Sequence, residues 1–175
     1  MGCDTLMSSI VHGLPPVYDA RSEILILGSF PSVKSRETGF YYGHPQNRFW
    51  RVVASVLEQD VPRTADEKRA FLLRNRIALW DVIAACEIEG SADQTIRNVT
   101  VNDMTTILRA ANIRHIFVNG RKAEALFNKW IAPQIRRTAH YLPSTSPANA
   151  AMKWDELLQA WRAIRRPMTR NLTQT

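Results

Sequence analysis

The chain has few cysteines: Cys3 and Cys86 are the only two among 175 residues. That is too few for a four-cysteine iron–sulfur or zinc site, and it points to a reduced, cytoplasmic setting rather than a disulfide scaffold. No apolar run of 18 residues exists to span a membrane. The opening, MGCDTLMSSIVHGLPP, lacks the basic flank and long apolar stretch of a secretory signal. Position 6 is Leu6, where a myristoylation signal wants Ser or Thr. The sequence also lacks a G-x-S-x-G nucleophile elbow, a Walker phosphate loop and G-x-G-x-x-G. Its four histidines, His12, His44, His115 and His140, show no spacing that suggests a triad or a metal site. His115 lies in a strand-like run and reads as structural. No internal repeat, low-complexity tract or linker interrupts the chain.

What is present describes one globular domain over residues 1–175, with its core at about 20–165 and both tails expected to fray. Hydrophobic residues make up 45% and charged residues 22%, too balanced for disorder. The formal net charge of +7 favours polyanionic partners, nucleic acid above all.

Four short apolar runs predict strands at residues 23–27, 77–80, 115–118 and 139–142, each followed by turn-forming residues. Helical spacing marks residues 47–58, 65–74, 121–130 and 152–164. Thr64 and Glu67 have the spacing of a capping box, and Asn102 is placed to cap a helix reaching Ala111. Strands alternating with helices predict an α/β, three-layer sandwich: a central four-stranded parallel sheet flanked by helices.

Parallel sheets build ligand sites where their strands end. The first run ends at Gly28-Ser29-Phe30, the second at Trp80-Asp81, the third at Asn119-Gly120. The fourth opens into Pro143-Ser144-Thr145-Ser146-Pro147-Ala148-Asn149, whose small residues and backbone N–H groups suit a phosphate backbone. Between the first strand and its helix lies a loop with aromatic faces (Phe30, Phe40, Tyr41, Tyr42) and Asn47 at the helix start. That is equipment for gripping a flat polar ring beside phosphates.

These segments resemble the uracil-DNA glycosylase superfamily, and within it the hypoxanthine-DNA (deoxyinosine) glycosylase branch. The matching text is LGSFPS at 27–32, GFYYGHPQNRFW at 39–50, ALWDVI at 78–83, VNGRKA at 118–123 and LPSTSPANA at 142–150. GFYYGHPQNRFW is specific; LGSFPS and the Ser/Pro segment are each weak alone. The resemblance implies base excision from DNA by hydrolysis of the N-glycosidic bond of a deaminated base: hypoxanthine, with uracil or xanthine as further candidates. It implies a monofunctional enzyme, monomeric, with DNA as partner and without metal or other cofactor.

The resemblance carries roles to particular positions. Other branches hold water with an Asp or Asn two residues after the first Gly; here that position is Phe30. The hypoxanthine-type branch uses the Asn of its HP-x-N element, here Asn47, as catalytic group. An amide can donate to base or sugar while its carbonyl orients water, and Asn47 can also cap the following helix. Asp81 stands where uracil-specific relatives read the base, and an ionised carboxylate can accept the ring N–H of hypoxanthine or uracil. Phe30, then Tyr42, are candidates for stacking on the flipped base, with Gly28 and Ser29 beside them, and either ring is equally suited to the core. The His that opens the Ser/Pro segment in many relatives is replaced by Leu142 or Ser144, which argues against strong uracil excision.

DNA contacts are expected from Ser144, Thr145, Ser146, Pro147 and Asn149, and from Lys34, Arg48, Arg121 and Lys122, with Arg36 and Lys153 near the same mouth. Arg162, Arg165, Arg166 and Arg170 read as a solvated C-terminal face. Two other readings stand beside the enzyme. A damaged-DNA-binding module of the same fold would bind without releasing base. A nucleoside or nucleotide enzyme would turn over a free monomer with little salt dependence.

Overall fold

The computed structural model describes residues 8–88, 96–165 and 167. Four parallel strands form the central sheet: β2 (Ile24–Gly28), β3 (Ile77–Asp81), β6 (His115–Asn119) and β7 (His140–Leu142), in the order β3-β2-β6-β7. Each agrees with a predicted run to within a residue or two. The inner strand β2 is buried along its whole length, and so is β3, as a sheet covered on both faces demands.

Helices cover the sheet. They are α1 (Val33–Thr38), α2 (Phe49–Leu57), α3 (Ala65–Arg74), α4 (Thr105–Ala110), α5 (Arg121–Leu126), α6 (Ala132–Ile135) and α7 (Trp154–Trp161). Helix α2 turns Phe49, Trp50, Val52, Val53, Ala54 and Val56 inward. Its Phe49 packs edge-on to Trp161 of α7, with ring centroids 5.8 Å apart. Helix α3 begins with the anticipated capping box: Thr64 Oγ1 accepts from Glu67 N at 3.1 Å, while the Glu67 carboxylate accepts from Thr64 N at 3.3 Å.

Three expectations need correcting. The segment after β2 is not all loop, because Ser32 caps the short helix α1, its Oγ accepting from Ser35 N. Asn102 does not cap α4. Its side chain instead donates to the Asp81 and Ile83 carbonyls, while Asp103 Oδ1 accepts from Thr105 N at the helix start. The predicted helix over 121–130 widens after α5 into a π-helical turn, Phe127–Ile131, before α6.

A larger difference lies outside the parallel sheet. A second sheet, antiparallel and of order β1-β4-β5, is built from β1 (Ser8–Val11), β4 (Ile83–Ile88) and β5 (Arg97–Val101). Its own small core holds Ile83, Cys86, Ile88 and Ile96. The N-terminal segment from Ser8 on is therefore ordered structure and not a frayed tail. Val11 pairs with Ala85, and Val17 bridges to Leu79 in the main sheet. The expected fraying after Arg166 falls, except for Pro167, outside the described residues. No helix among the described residues is long and apolar enough to cross a membrane.

Candidate active site

The C-terminal ends of β2, β3, β6 and β7 open on a cleft of about 530 Å³. Gly28, Ser29, Phe30, Tyr42, Asn47, Asp81, Arg121, Lys122, Ser144, Thr145 and Ser146 all border it, as the sequence predicts. Arg36, Tyr41 and Asn119 complete much of the wall.

At the floor, Asp81 ends β3 beside Gly28, which ends β2. A Cβ at Gly28 would collide with Asp81 Oδ1 and lie 2.9 Å from the Tyr42 hydroxyl. Glycine is needed here for close approach: no side chain fits between the carboxylate and the phenol. Tyr42 holds a left-handed backbone (φ 54°), uncommon for a bulky residue, and its ring stacks on Phe49 at 4.0 Å. One face of Tyr42 is thus taken by the core. Burial first, and then the Asp81 charge, raise both Tyr41 and Tyr42 far above the ordinary phenol range, so both hydroxyls keep their protons.

Asp81 has a partner the sequence did not suggest. His12, immediately after β1, places Nε2 at 2.9 Å from Asp81 Oδ2. The two side chains are only 3% and 4% exposed. Among the described residues Asp81 Oδ1, which lies beside Gly28, makes no such bond, and Asp81 borders the cleft. No spacing rule could connect positions 12 and 81; the pair exists because β1 is docked on β4, which follows β3 after Val82 alone.

Asn47 Oδ1 accepts from Phe49 N at 2.9 Å, so Asn47 does support the start of α2. Its amide NH2 has no partner among the described residues, and Asn47 borders the cleft. Asn119, named in the sequence only as a strand end, has a framework role there. Its Nδ2 donates to Tyr42 Oη (3.2 Å) and Thr145 Oγ1 (3.0 Å), and its Oδ1 accepts from Thr145 N (3.1 Å). It therefore ties the end of β6 to the aromatic loop and the Ser/Pro segment. Arg36 lines the cleft with its guanidinium 5.7 Å from the centre of the Phe30 ring, and its buried Nε has no hydrogen-bond partner among the described residues.

The expected DNA contacts divide in two. Ser144 and Ser146 accept from backbone N–H groups of their own loop, which leaves each hydroxyl a proton to donate outward. Lys122 also borders the cleft, as does Arg121, although Arg121 pairs with Glu124 at 2.7 Å and lies over the Tyr141 ring at 3.6 Å. Three others are framework. Thr145 is fully buried and cannot touch a phosphate. Asn149 turns its amide inward to the Ser144 carbonyl at 2.9 Å. Arg48 donates to the Met152 and Asn149 carbonyls at 2.7 and 2.9 Å, clamping the segment from behind. Pro147 starts a 3-10 turn on a neighbouring hollow shared with Pro45, Gln46, Arg48, Arg51 and Ala150. Lys34 lies outside the cleft, exposed, 3.7 Å from Glu37.

The strand ends of the parallel sheet thus gather an amide, a buried carboxylate, an aromatic ring and a Ser/Pro loop around one cleft, groups whose chemistry suits an extruded nucleobase. The sequence model of the uracil DNA glycosylase superfamily matches residues 15–165. Two relatives, both named hypoxanthine DNA glycosylase, are each 40% identical to this chain. The one from Methanosarcina acetivorans aligns over 145 residues, 80% of this chain and 89% of its own; the one from Methanosarcina barkeri aligns over 114, or 64% and 72%. A solution NMR structure of a Methanosarcina acetivorans protein, described as a candidate uracil DNA glycosylase, superposes with a TM-score of 0.78. It is 35% identical and covers 90% of this chain and 98% of its own. The chain belongs to the uracil DNA glycosylase superfamily.

Proposed function

We propose that this DNA glycosylase excises hypoxanthine from deoxyinosine in DNA by hydrolysing the N-glycosidic bond. The observation that carries the reading is the meeting of Asn47, Asp81 and Phe30 around one cleft at the strand ends. The names of the two relatives support the choice of base.

A flipped purine lies against the Phe30 ring. Asp81 Oδ1 accepts the N1–H of hypoxanthine, a proton that adenine lacks. As the bond breaks, the sugar gains oxocarbenium character and the departing base becomes an anion. Donors aimed at that developing charge lower the barrier most. Because the Asn47 carbonyl is engaged by Phe49 N, its NH2 is the donating half, directed at the leaving base. Arg36, held beside Phe30 without an acidic partner among the described residues, adds positive charge where the Ser/Pro segment carries no histidine. Ser144, Ser146, Lys122 and Arg121 hold the phosphates on either side.

The test is alkali-revealed strand cleavage of labelled duplexes bearing one hypoxanthine, uracil or xanthine. The wild type should cleave the hypoxanthine duplex, and only after alkali. Asn47→Ala should be slower by about 10²–10³, the cost of losing one such donor. Salt-sensitive DNA binding without base release would leave a binding module instead. Turnover of free deoxyinosine in preference to the duplex would mark a nucleoside enzyme.

A further inference from the structure

His12 lies outside every motif that carries the family resemblance, yet it is buried against the Asp81 carboxylate at the cleft floor. We propose that His12 is a positioning residue that fixes Asp81 as an acceptor-only reader of the base. The site thereby separates a ring N–H from a ring nitrogen lone pair. The inference rests on Asp81 contacting the base, as proposed above.

A neutral imidazole has one donor and one acceptor. The Leu14 backbone N–H points at His12 Nδ1 at 3.2 Å, and an N–H can only donate, so Nδ1 holds the lone pair. The ring proton is then on Nε2, which donates to Asp81 Oδ2 at 2.9 Å. The ring is held edge-on to Phe30 and against Tyr41, with centroids 5.9 and 6.0 Å away. Tyr41 Oη in turn donates to the Pro15 carbonyl at 2.9 Å, fixing the segment that carries Leu14.

Backbone geometry thus sets the tautomer, and the tautomer sets which carboxylate oxygen is occupied. Only Oδ1 remains for the cleft. It satisfies a base that brings an N–H, and it opposes lone pair to lone pair with a base that does not. Such a mismatch leaves buried acceptors unpaired, the strongest form of discrimination available to a binding pocket.

The arrangement has an unusual corollary. In Asp81→Asn, His12 still demands an acceptor, so the amide oxygen turns to Nε2–H and the NH2 faces the cleft. The code is inverted, and a purine with a bare N1 becomes the better partner.

The experiment is single-turnover excision from duplexes carrying either hypoxanthine or unsubstituted purine, whose N1 has a lone pair and no proton. Asp81→Asn should move the hypoxanthine-to-purine rate ratio toward purine by about ten- to hundredfold, as expected for a hydrogen bond to a charged group. His12→Phe keeps the ring and removes its nitrogens; it should lower the ratio about tenfold and abolish the inversion in the double variant. His12→Gln should retain the wild-type ratio beside Asp81, because an amide must donate to a carboxylate. Combined with Asp81→Asn, the glutamine amide can donate or accept, and the inversion should be lost.

A merely structural role would slow both substrates together and leave the ratio unchanged. An inversion that persists undiminished without His12 overturns the proposal and leaves Asp81 as reader. No shift in Asp81→Asn removes Asp81 as reader, and the proposal falls with it. Should His12→Phe melt below the assay temperature, the two His12→Gln backgrounds carry the same comparison.

Discussion

A single hydrogen atom separates Gly28 from alanine's first carbon, and the cleft depends on it. Asp81 Oδ1 and Tyr42 Oη occupy the space a Cβ would need. Gly28→Ala should displace the carboxylate or the phenol, because neither β2 nor β3 can move in a fully buried sheet. We expect hypoxanthine excision to fall by about a hundredfold or more, on the scale of a catalytic group misplaced by an ångström. Thermal melting should shift far less. Retained activity in this variant would mean that the base does not reach the floor between Gly28 and Asp81. Arg36 offers a contrasting test on the cleft wall. Arg36→Gln, which keeps hydrogen-bonding capacity and removes charge, should lower the single-turnover rate of excision more than it weakens duplex binding. An equal loss in both would recast Arg36 as a phosphate contact.

Among the elements, the Ser/Pro segment between β7 and α7 is held from two sides. Asn119 grips Thr145 from the sheet, and Arg48 grips the Asn149 and Met152 carbonyls from the start of α2. Arg48→Ala removes two hydrogen bonds from a charged donor, each worth about 1.5–3 kcal/mol, and leaves two carbonyls to find water. Chemical denaturation should report a loss of about 3–6 kcal/mol from that pair. Duplex affinity should weaken as the Ser144 and Ser146 hydroxyls lose their fixed spacing. Lys34→Ala should leave both unchanged, since Lys34 is outside the cleft.

Much of this scale was legible beforehand. The buried strands announced themselves as apolar runs cut off by turn residues, and Thr64 with Glu67 wrote out its helix start. The antiparallel sheet did not. Strand β5, Arg-Asn-Val-Thr-Val, is mostly exposed or half-exposed, and β1 is a short edge segment near the N-terminus. Neither has a long apolar run to detect, because each is held largely by backbone pairing to β4, with Ile10, Val99 and Val101 half-buried against the cores. Helix α1, at six residues, is too short to show a period. The site divides along the same line. Residues at strand ends were readable from local text, whereas His12 and the framework role of Arg48 depend on contacts across 69 and about a hundred positions.

For the whole molecule, a net charge of +7 on 175 residues sets the kinetics of encounter with DNA. Raising salt from about 50 to 200 mM should weaken duplex binding steeply, in proportion to the number of phosphates neutralised. Lys122→Ala should reduce the slope of log K against log salt by about one, as for one lost phosphate contact. Single-turnover excision at saturating enzyme should stay nearly constant over the same range, since the reading of the base is buried. A salt-insensitive affinity would argue against a phosphate track.

The stretch that follows β1 also has a fixed length. His12 N donates to Ala84 O at one end, Val17 exchanges hydrogen bonds with Leu79 at the other, and residues 13–16 between them include Pro15 and Pro16. Side chains on a strand alternate in direction, so adding or removing one residue would swing the imidazole to the opposite side. The gene should therefore tolerate substitution of the exposed Val11 far better than a frameshift-free insertion or deletion of one codon between 8 and 12. A scan of such single-codon changes would find the enzyme's selectivity most fragile in a stretch that carries no family motif at all.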